Sequence, residues 1–185
     1  ADNLTLSPIR KISGEVILPG SKSLSNRILL LSMLAEGKTK IKNLLNSDDI
    51  RRMVEALEKL GIELEENRDE NHISVSGTSG IIPVSEATLM LGNAGTAIRP
   101  LTAAMTLGHG RFVLDGVARM RERPIIDLIE GLTQLGANLS CLKGTDCPPV
   151  EVIADGLPGG KTRLSGAISS QYLTAILLVA PYAKS

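Results

Sequence analysis

A periodicity of about 74 residues restricts the fold of this 185-residue chain more than any other feature. A mostly apolar helical segment at about 23–36 leads to the strand-like TKIKNLL and then to SDDIRRMVEALEKLG. There Ile50, Met53, Val54, Leu57 and Leu60 form one apolar stripe opposite Arg51, Arg52, Glu55, Glu58 and Lys59. Such a stripe marks a helix lying on a core, and Gly61 is placed to end it. IELEEN and HISVSG follow as two strands across a polar turn. The order returns as GTAIRPLTAAMTLG, RFVLDG, RPIIDLIEGLTQLG, ANLSCLK and PVEVIA, and KTRLSG with SSQYLTAILLVA opens a third round. Landmarks keep register: Lys22 and Thr96, Thr96 and Ser170, and Asp49 and Arg123 are each 74 residues apart, and Gly61 and Gly136 are 75 apart. Self-similarity at a fixed period indicates stacked copies of one supersecondary unit.

Within each copy the first helix is apolar nearly all round, so it belongs inside, whereas the second has a charged face and belongs outside. The expected class is α/β (α+β): a lobe of an inside-out α/β barrel built of repeated βαβαββ units, with inner buried helices and outer sheets and helices. That inverts the (β/α)8 barrel, whose strands are inside. Residues 19–185 divide into two complete repeats, about 19–80 and 81–158, and an incomplete third, about 159–185. If a rotation relates the copies, the N-termini of their inner helices converge on one surface.

The three starts are GSKSLSNR (20–27), GNAGTAIR (92–99) and SGAISSQY (165–172). A helix start exposes unpaired N–H groups with partial positive charge, and Lys22 and Arg27 add full positive charges where the dipole disfavours them. The arrangement makes sense around an anion. Gly92 and Gly95 would let a ligand approach the backbone. ARMRERPI places Arg119, Arg121 and Arg123 just before Pro124, a favoured first helical residue, and guanidinium groups suit bidentate recognition of carboxylate or phosphate. Any one start would serve as ordinary capping, but three in register point to a binding surface. No carboxylate is evident at the converging starts.

Composition narrows the partners. Lys plus Arg equals Asp plus Glu at 20 each, and aromatics make up 2%, so neither a net field nor a stacking platform recruits nucleic acid. The longest apolar runs fall well short of the roughly 20 residues of a membrane span, and the N-terminus lacks a signal-peptide pattern. No nucleic-acid or membrane partner is expected. Cys141 and Cys147 fit neither a zinc pattern nor a disulfide framework and read as free thiols in a reducing compartment. GLPGGKT (156–162) misses the P-loop spacing, and His72 and His109 receive no role.

LPGSKSLSNR, LLNSDD, LGNAGTAIRPLTAA, RMRERPI and SSQYLTA together resemble the 5-enolpyruvylshikimate-3-phosphate (EPSP) synthase family, over essentially the whole chain. The related UDP-N-acetylglucosamine enolpyruvyl transferases differ in the opening motif and carry a Cys that the loop at about 115–121 lacks. The resemblance implies transfer of the enolpyruvyl group of phosphoenolpyruvate to the 5-hydroxyl of shikimate 3-phosphate, releasing phosphate, with no metal and no organic cofactor. It implies a catalytic role for Lys22 in proton transfer. Lys22, Ser23, Arg27, Ser169, Ser170 and Gln171 would bind shikimate 3-phosphate, and Lys22, Asn93, Gly95, Thr96, Arg123 and Gln171 would bind phosphoenolpyruvate or glyphosate. Gly95, Thr96 and Pro100 are the usual family types and imply glyphosate sensitivity, while Ile98 and Ala118 stand where Met and Pro are common. Family members have six copies in two lobes, so residues 1–18 are expected to form a strand segment that pairs with a second lobe. The chain is then an N-terminal part, inactive until a second polypeptide supplies the rest. The compartment would be the cytoplasm, with plastid stroma as the other open location. A noncatalytic module binding a phosphorylated metabolite is the competing reading.

Overall fold

The structure, a computed structural model, describes residues 3–5, 7–67, 72–165 and 169–185. The elements run α1 (Lys22–Leu34), β1 (Lys38–Lys42), α2 (Asp48–Lys59), β2 (Leu64–Asn67), β3 (His72–Ser76), β4 (Glu86–Met90), α3 (Gly95–Met105), β5 (His109–Asp115), α4 (Ile126–Gln134), β6 (Asn138–Cys141), β7 (Val150–Asp155) and α5 (Ser170–Val179). One sheet has the order β1-β3-β2, all antiparallel, and the other β4-β5-β7-β6. β5, β7 and β6 repeat the antiparallel arrangement of β1, β3 and β2, while β4 adds a parallel strand outside β5.

The repeat is visible atom by atom at the ends of the outer helices. α2 and α4 both stop at a leucine followed by a left-handed glycine, Gly61 at φ +80° and Gly136 at φ +85°. The N–H of Ile62 returns to the carbonyl of Leu57 at 3.0 Å, and that of Ala137 to Leu132 at 3.1 Å. Both are Schellman closures, which need the φ that glycine adopts without a Cβ penalty. The last residue of each helix then holds the next segment: Lys59 Nζ donates to the Thr88 carbonyl at 3.1 Å, and Gln134 Nε2 to the Arg163 carbonyl at 3.2 Å.

α3 is the central inner helix. Gly95 and every residue from Ala97 to Met105 are buried, and α3 packs against α1, α2, α4, α5, β5 and β7. Its Ala97, Ala103 and Ala104 let neighbours approach closely, because interaxial distance follows side-chain size. α1 and α5 flank it, but each keeps an apolar side in solvent: Leu24 and Leu31 on α1, Leu173 and Leu177 on α5. Full burial of all three inner helices is therefore met by α3 alone, and no barrel closes among the described residues. Tyr182, just past α5, ties the third round to the first: its hydroxyl donates to the Leu34 carbonyl at 2.7 Å and its ring lies on Gly80.

Within this chain the described residues between 3 and 18 form no strand, and Ile12, Val16, Ile17 and Leu18 are exposed; the partner expected for them is a second lobe. Three other placements differ from the sequence reading. Residues 161–165 (KTRLS) carry no regular structure either; Arg163 is held by the Gln134 side chain instead of by a neighbouring strand. Helix α4 starts at Ile126, two residues after Pro124, because Arg123 precedes a proline and takes the extended conformation (φ −100°, ψ 117°). β4 is an element that the periodic reading does not single out. Of the third helix start, 166–168 lie outside the described residues, as does the turn at 68–71.

Candidate active site

Gly20 is packed against the backbone of 43–45, where an added Cβ would overlap the Asn43 carbonyl oxygen. The Leu45 N–H donates to Ser25 Oγ at 3.3 Å. These contacts lay the loop before α2 across the start of α1. They bring Asp49, in the first turn of α2, to Lys22, with Oδ2 3.4 Å from Nζ. The same oxygen lies 3.4 Å from Thr96 Oγ1, which itself accepts from Asn26 Nδ2 at 2.7 Å. Asn26 donates to Thr96, Thr96 donates to Asp49, and Asp49 pairs with Lys22. The starts of α1, α2 and α3 are thus joined by one chain of side chains. Asp49 is the carboxylate that the sequence reading did not find there, and the N-terminus of α2 favours its charge.

The N-caps Ser21 of α1 and Ala94 of α3 offer no side-chain hydrogen bond, whereas Ser169 Oγ accepts from the Gln171 N–H at 3.2 Å. Ordinary side-chain capping therefore operates at α5 and not at the other two starts. A small depression of about 20 Å³ is lined by Ser23 and Arg27 of α1, Thr96 and Pro100 of α3, and Gln171 and Thr174 of α5. That volume holds roughly one water. The surface is a shallow depression, not an enclosed pocket. A larger cavity, about 620 Å³, lies elsewhere, between α2 and the β2–β3 hairpin. It is lined by Glu55, Glu58 and Glu66 against one Arg51 and includes none of the candidate residues, so its charge is of the wrong sign for an anion.

Three arginines ahead of α4 have different fates. Arg119 pairs with Glu122 at 2.6 Å. Arg121 grips Asp115 through Nε at 2.9 Å and Nη2 at 2.6 Å, and this bidentate bond holds the Asp115 carboxyl below the usual carboxylate range, burial opposing the shift. Arg123 alone faces the helix starts: Nη1 donates to the Asn93 carbonyl at 3.1 Å, and the guanidinium lies on Gly95, where an added Cβ would stand 2.5 Å from Nη2. Gly95 is therefore in contact with a cation that a ligand would meet. Gly92, by contrast, turns the chain at φ +57° beside Arg52 and is not at the depression. Arg27 has no ion pair or hydrogen bond among the described residues. Lys22 paired with Asp49, Arg27 at the depression and Arg123 on Gly95 are three cations with one carboxylate among these contacts, an excess of positive charge suited to anionic ligands.

A family model described as EPSP synthase (3-phosphoshikimate 1-carboxyvinyltransferase) matches residues 6–185. The chain belongs to the EPSP synthase family. Among EPSP synthase relatives, the chloroplastic 3-phosphoshikimate 1-carboxyvinyltransferase of Brassica napus is 60% identical over 191 residues, covering 99% of this chain and 37% of that protein. The enzyme of the same name from Shewanella denitrificans is 54% identical over 182 residues, covering 98% of this chain and 42% of that protein. A solved EPSP synthase from Acinetobacter baumannii superposes with a TM-score of 0.81 at 26% identity, covering 92% of this chain and 39% of that one. The chain thus spans about two fifths of the length of the EPSP synthases it matches.

Of the residues singled out from sequence, Lys22, Ser23, Arg27, Thr96 and Gln171 come together, and Asn93, Gly95 and Arg123 form a second group on the same α3 start. Ser169 is spent partly on capping, and Ser170, the first residue of α5, is exposed next to Gln171. Asp49, Asn26, Arg99 and Thr174 join the site from outside the expected set. Asp49 had a signal, since it opens a helix in the LLNSDD motif. Asn26 and Arg99 stand in the helix starts GSKSLSNR and GNAGTAIR, but nothing in the sequence distinguished them there as site residues.

Proposed function

We propose that this chain carries one wall of an EPSP synthase active site: it binds shikimate 3-phosphate and phosphoenolpyruvate, and the enzyme transfers the enolpyruvyl group to the 5-hydroxyl with release of phosphate. The observation that carries the proposal is the convergence of Lys22, Ser23, Arg27, Thr96 and Gln171, drawn from three inner helices, together with an Arg123 at the α3 start that has no carboxylate partner among the described residues. Each substrate bears a phosphate and a carboxylate, and placing two such anions side by side requires cations that are not already neutralised. Ser23, Arg27, Ser169, Ser170 and Gln171 are proposed to hold shikimate 3-phosphate. Asn93, Gly95, Thr96 and Arg123 are proposed to hold phosphoenolpyruvate, with glyphosate in the same place. Lys22 touches both.

The reaction needs an acid to protonate the methylene carbon and a base to take the hydroxyl proton. Lys22 and Asp49, 3.4 Å apart, are the candidates in this chain. The shallow wall supports a further proposal: turnover requires a second polypeptide corresponding to the portion of the relatives that this chain does not span. The compartment we favour is the cytoplasm, with plastid stroma as the alternative supported by chloroplastic relatives at 57–60% identity.

The test is phosphate release from the two substrates. The chain alone is expected to give none above background, and addition of the remaining portion as a separate polypeptide is expected to restore turnover. Normal turnover by the chain alone would overturn the requirement for a partner. Absence of turnover with the partner, together with shikimate 3-phosphate binding that glyphosate leaves unchanged, would favour a noncatalytic module.

A further inference from the structure

Gln171 lines the depression, and Arg99 holds it from behind. Arg99 Nη1 donates to Gln171 Oε1 at 2.5 Å. A guanidinium has five N–H donors and no acceptor, so only the carbonyl end of the amide can face it. The two N–H donors of Gln171 Nε2 must point the other way, and among the described residues they donate to nothing.

Arg99 is unusual for a charged residue. It is 8% exposed, makes no ion pair among the described residues, and lies 5.3 Å from the ring centroid of Tyr172 in a cation–π contact. The Tyr172 hydroxyl donates to the Pro124 carbonyl at 2.7 Å, and Arg99 Nη2 is 3.5 Å from the same oxygen. Pro124 directly follows Arg123. One buried cation therefore stands behind both Gln171 and the turn that presents Arg123. Burial lowers the pKa of Arg99 most, the charge of Arg123 lowers it further, and Tyr172 opposes both. Arginine nonetheless keeps its proton in proteins, so a positive charge sits beneath the depression.

We propose that Arg99 is a positioning residue that locks the Gln171 amide with its N–H donors turned toward the ligand, presetting the depression for acceptor-only groups such as phosphate or carboxylate oxygens. The identity of the ligand rests on the function proposed above. The orientation of the amide does not.

Two readouts separate these claims. Gln134 and Gln171 are the two glutamines of the chain, so their side-chain amide resonances are readily assigned in the 15N-labelled protein. The Gln171 pair is expected to lie apart from the free-glutamine position without any ligand, and to move to it in Arg99→Met, which removes every donor facing the amide oxygen. A wild-type pair at the free-glutamine position would overturn the proposal even if the variant failed to fold. The second readout is shikimate 3-phosphate affinity in a double-mutant cycle. Arg99→Met should weaken binding about 10-fold in the wild-type background, as expected for loss of one charge-assisted arrangement, and by nothing further in a Gln171→Met background. Additive losses would overturn it. If the wild-type chain bound no shikimate 3-phosphate, the assigned substrate would fall, and the amide resonances would still decide the role of Arg99.

Discussion

Each arginine of the 119–123 cluster is decided by what stands within reach of its guanidinium. Arg119 and Arg121 are neutralised by Glu122 and Asp115, and Arg123 keeps its charge available because among the described residues it meets only the uncharged backbone and side-chain oxygens of Asn93. Its seat on Gly95 gives a first prediction. Gly95→Ala would put a Cβ 2.5 Å from Arg123 Nη2 and push the guanidinium away, so phosphoenolpyruvate or glyphosate affinity measured by calorimetry should fall about 10-fold or more, for a displaced charged hydrogen bond, with shikimate 3-phosphate affinity nearly kept. A second prediction concerns pH. Asp115 has a folded pKa depressed by Arg121, so its contribution to stability is full above its unfolded value near 3.8 and is lost as pH falls through the lower folded value. Asp115→Asn should therefore cost stability at pH 7 and flatten the fall of stability at acid pH, measured by urea unfolding from pH 6 downward. Lys22, Arg27 and Arg123 stood out in the sequence as cations in short polar segments at or just ahead of helical runs. Asp49 did not, because its approach to Lys22 depends on the Gly20 contact with the backbone of 43–45, which no local pattern reports.

The two outer helices end in the same motif, yet their glycines are not equally constrained. An added Cβ at Gly61 would meet Pro83 at 3.4 Å, an ordinary contact, whereas at Gly136 it would meet Pro158 at 2.8 Å. Gly61→Ala should cost about 1 kcal/mol, the usual penalty of a left-handed alanine. Gly136→Ala should cost about 1 kcal/mol more as overpacking is added. Equal losses in equilibrium unfolding would contradict this ordering. The helices and the hairpin strands were legible because their apolar periods are strong, as in the buried stripe Ile50, Met53 and Leu57. Strand β4 was harder to see, since it draws its partner β5 from across α3 and its own burial is confined to Leu89 and part of Ala87. The misplaced start of α4 follows from reading Pro124 as the first helical residue, when its carbonyl is occupied by Tyr172.

Taken whole, the molecule places sheets and amphipathic helices around α3 and leaves α1 and α5 half covered. The exposed apolar residues Leu24, Leu31, Leu173 and Leu177, together with Ile12, Val16, Ile17 and Leu18, are surfaces that a complementing polypeptide would bury under the proposed function. Hydrogen exchange should then slow in residues 7–18 when that polypeptide is added, and unchanged exchange there would count against the pairing. The repeated architecture was legible from the 74-residue register alone, whereas the degree of closure was not, because it depends on which helix faces find partners. Under the proposed function, the three inner-helix starts form one anion-binding surface. Titrating the 15N-labelled chain with shikimate 3-phosphate tests it most directly: backbone amides of Lys22 and Ser23, of Gly95 and Thr96, and of Ser170 and Gln171 should shift together along one binding curve. Shifts confined to a single helix start, separate curves for the three, or none at all would contradict it.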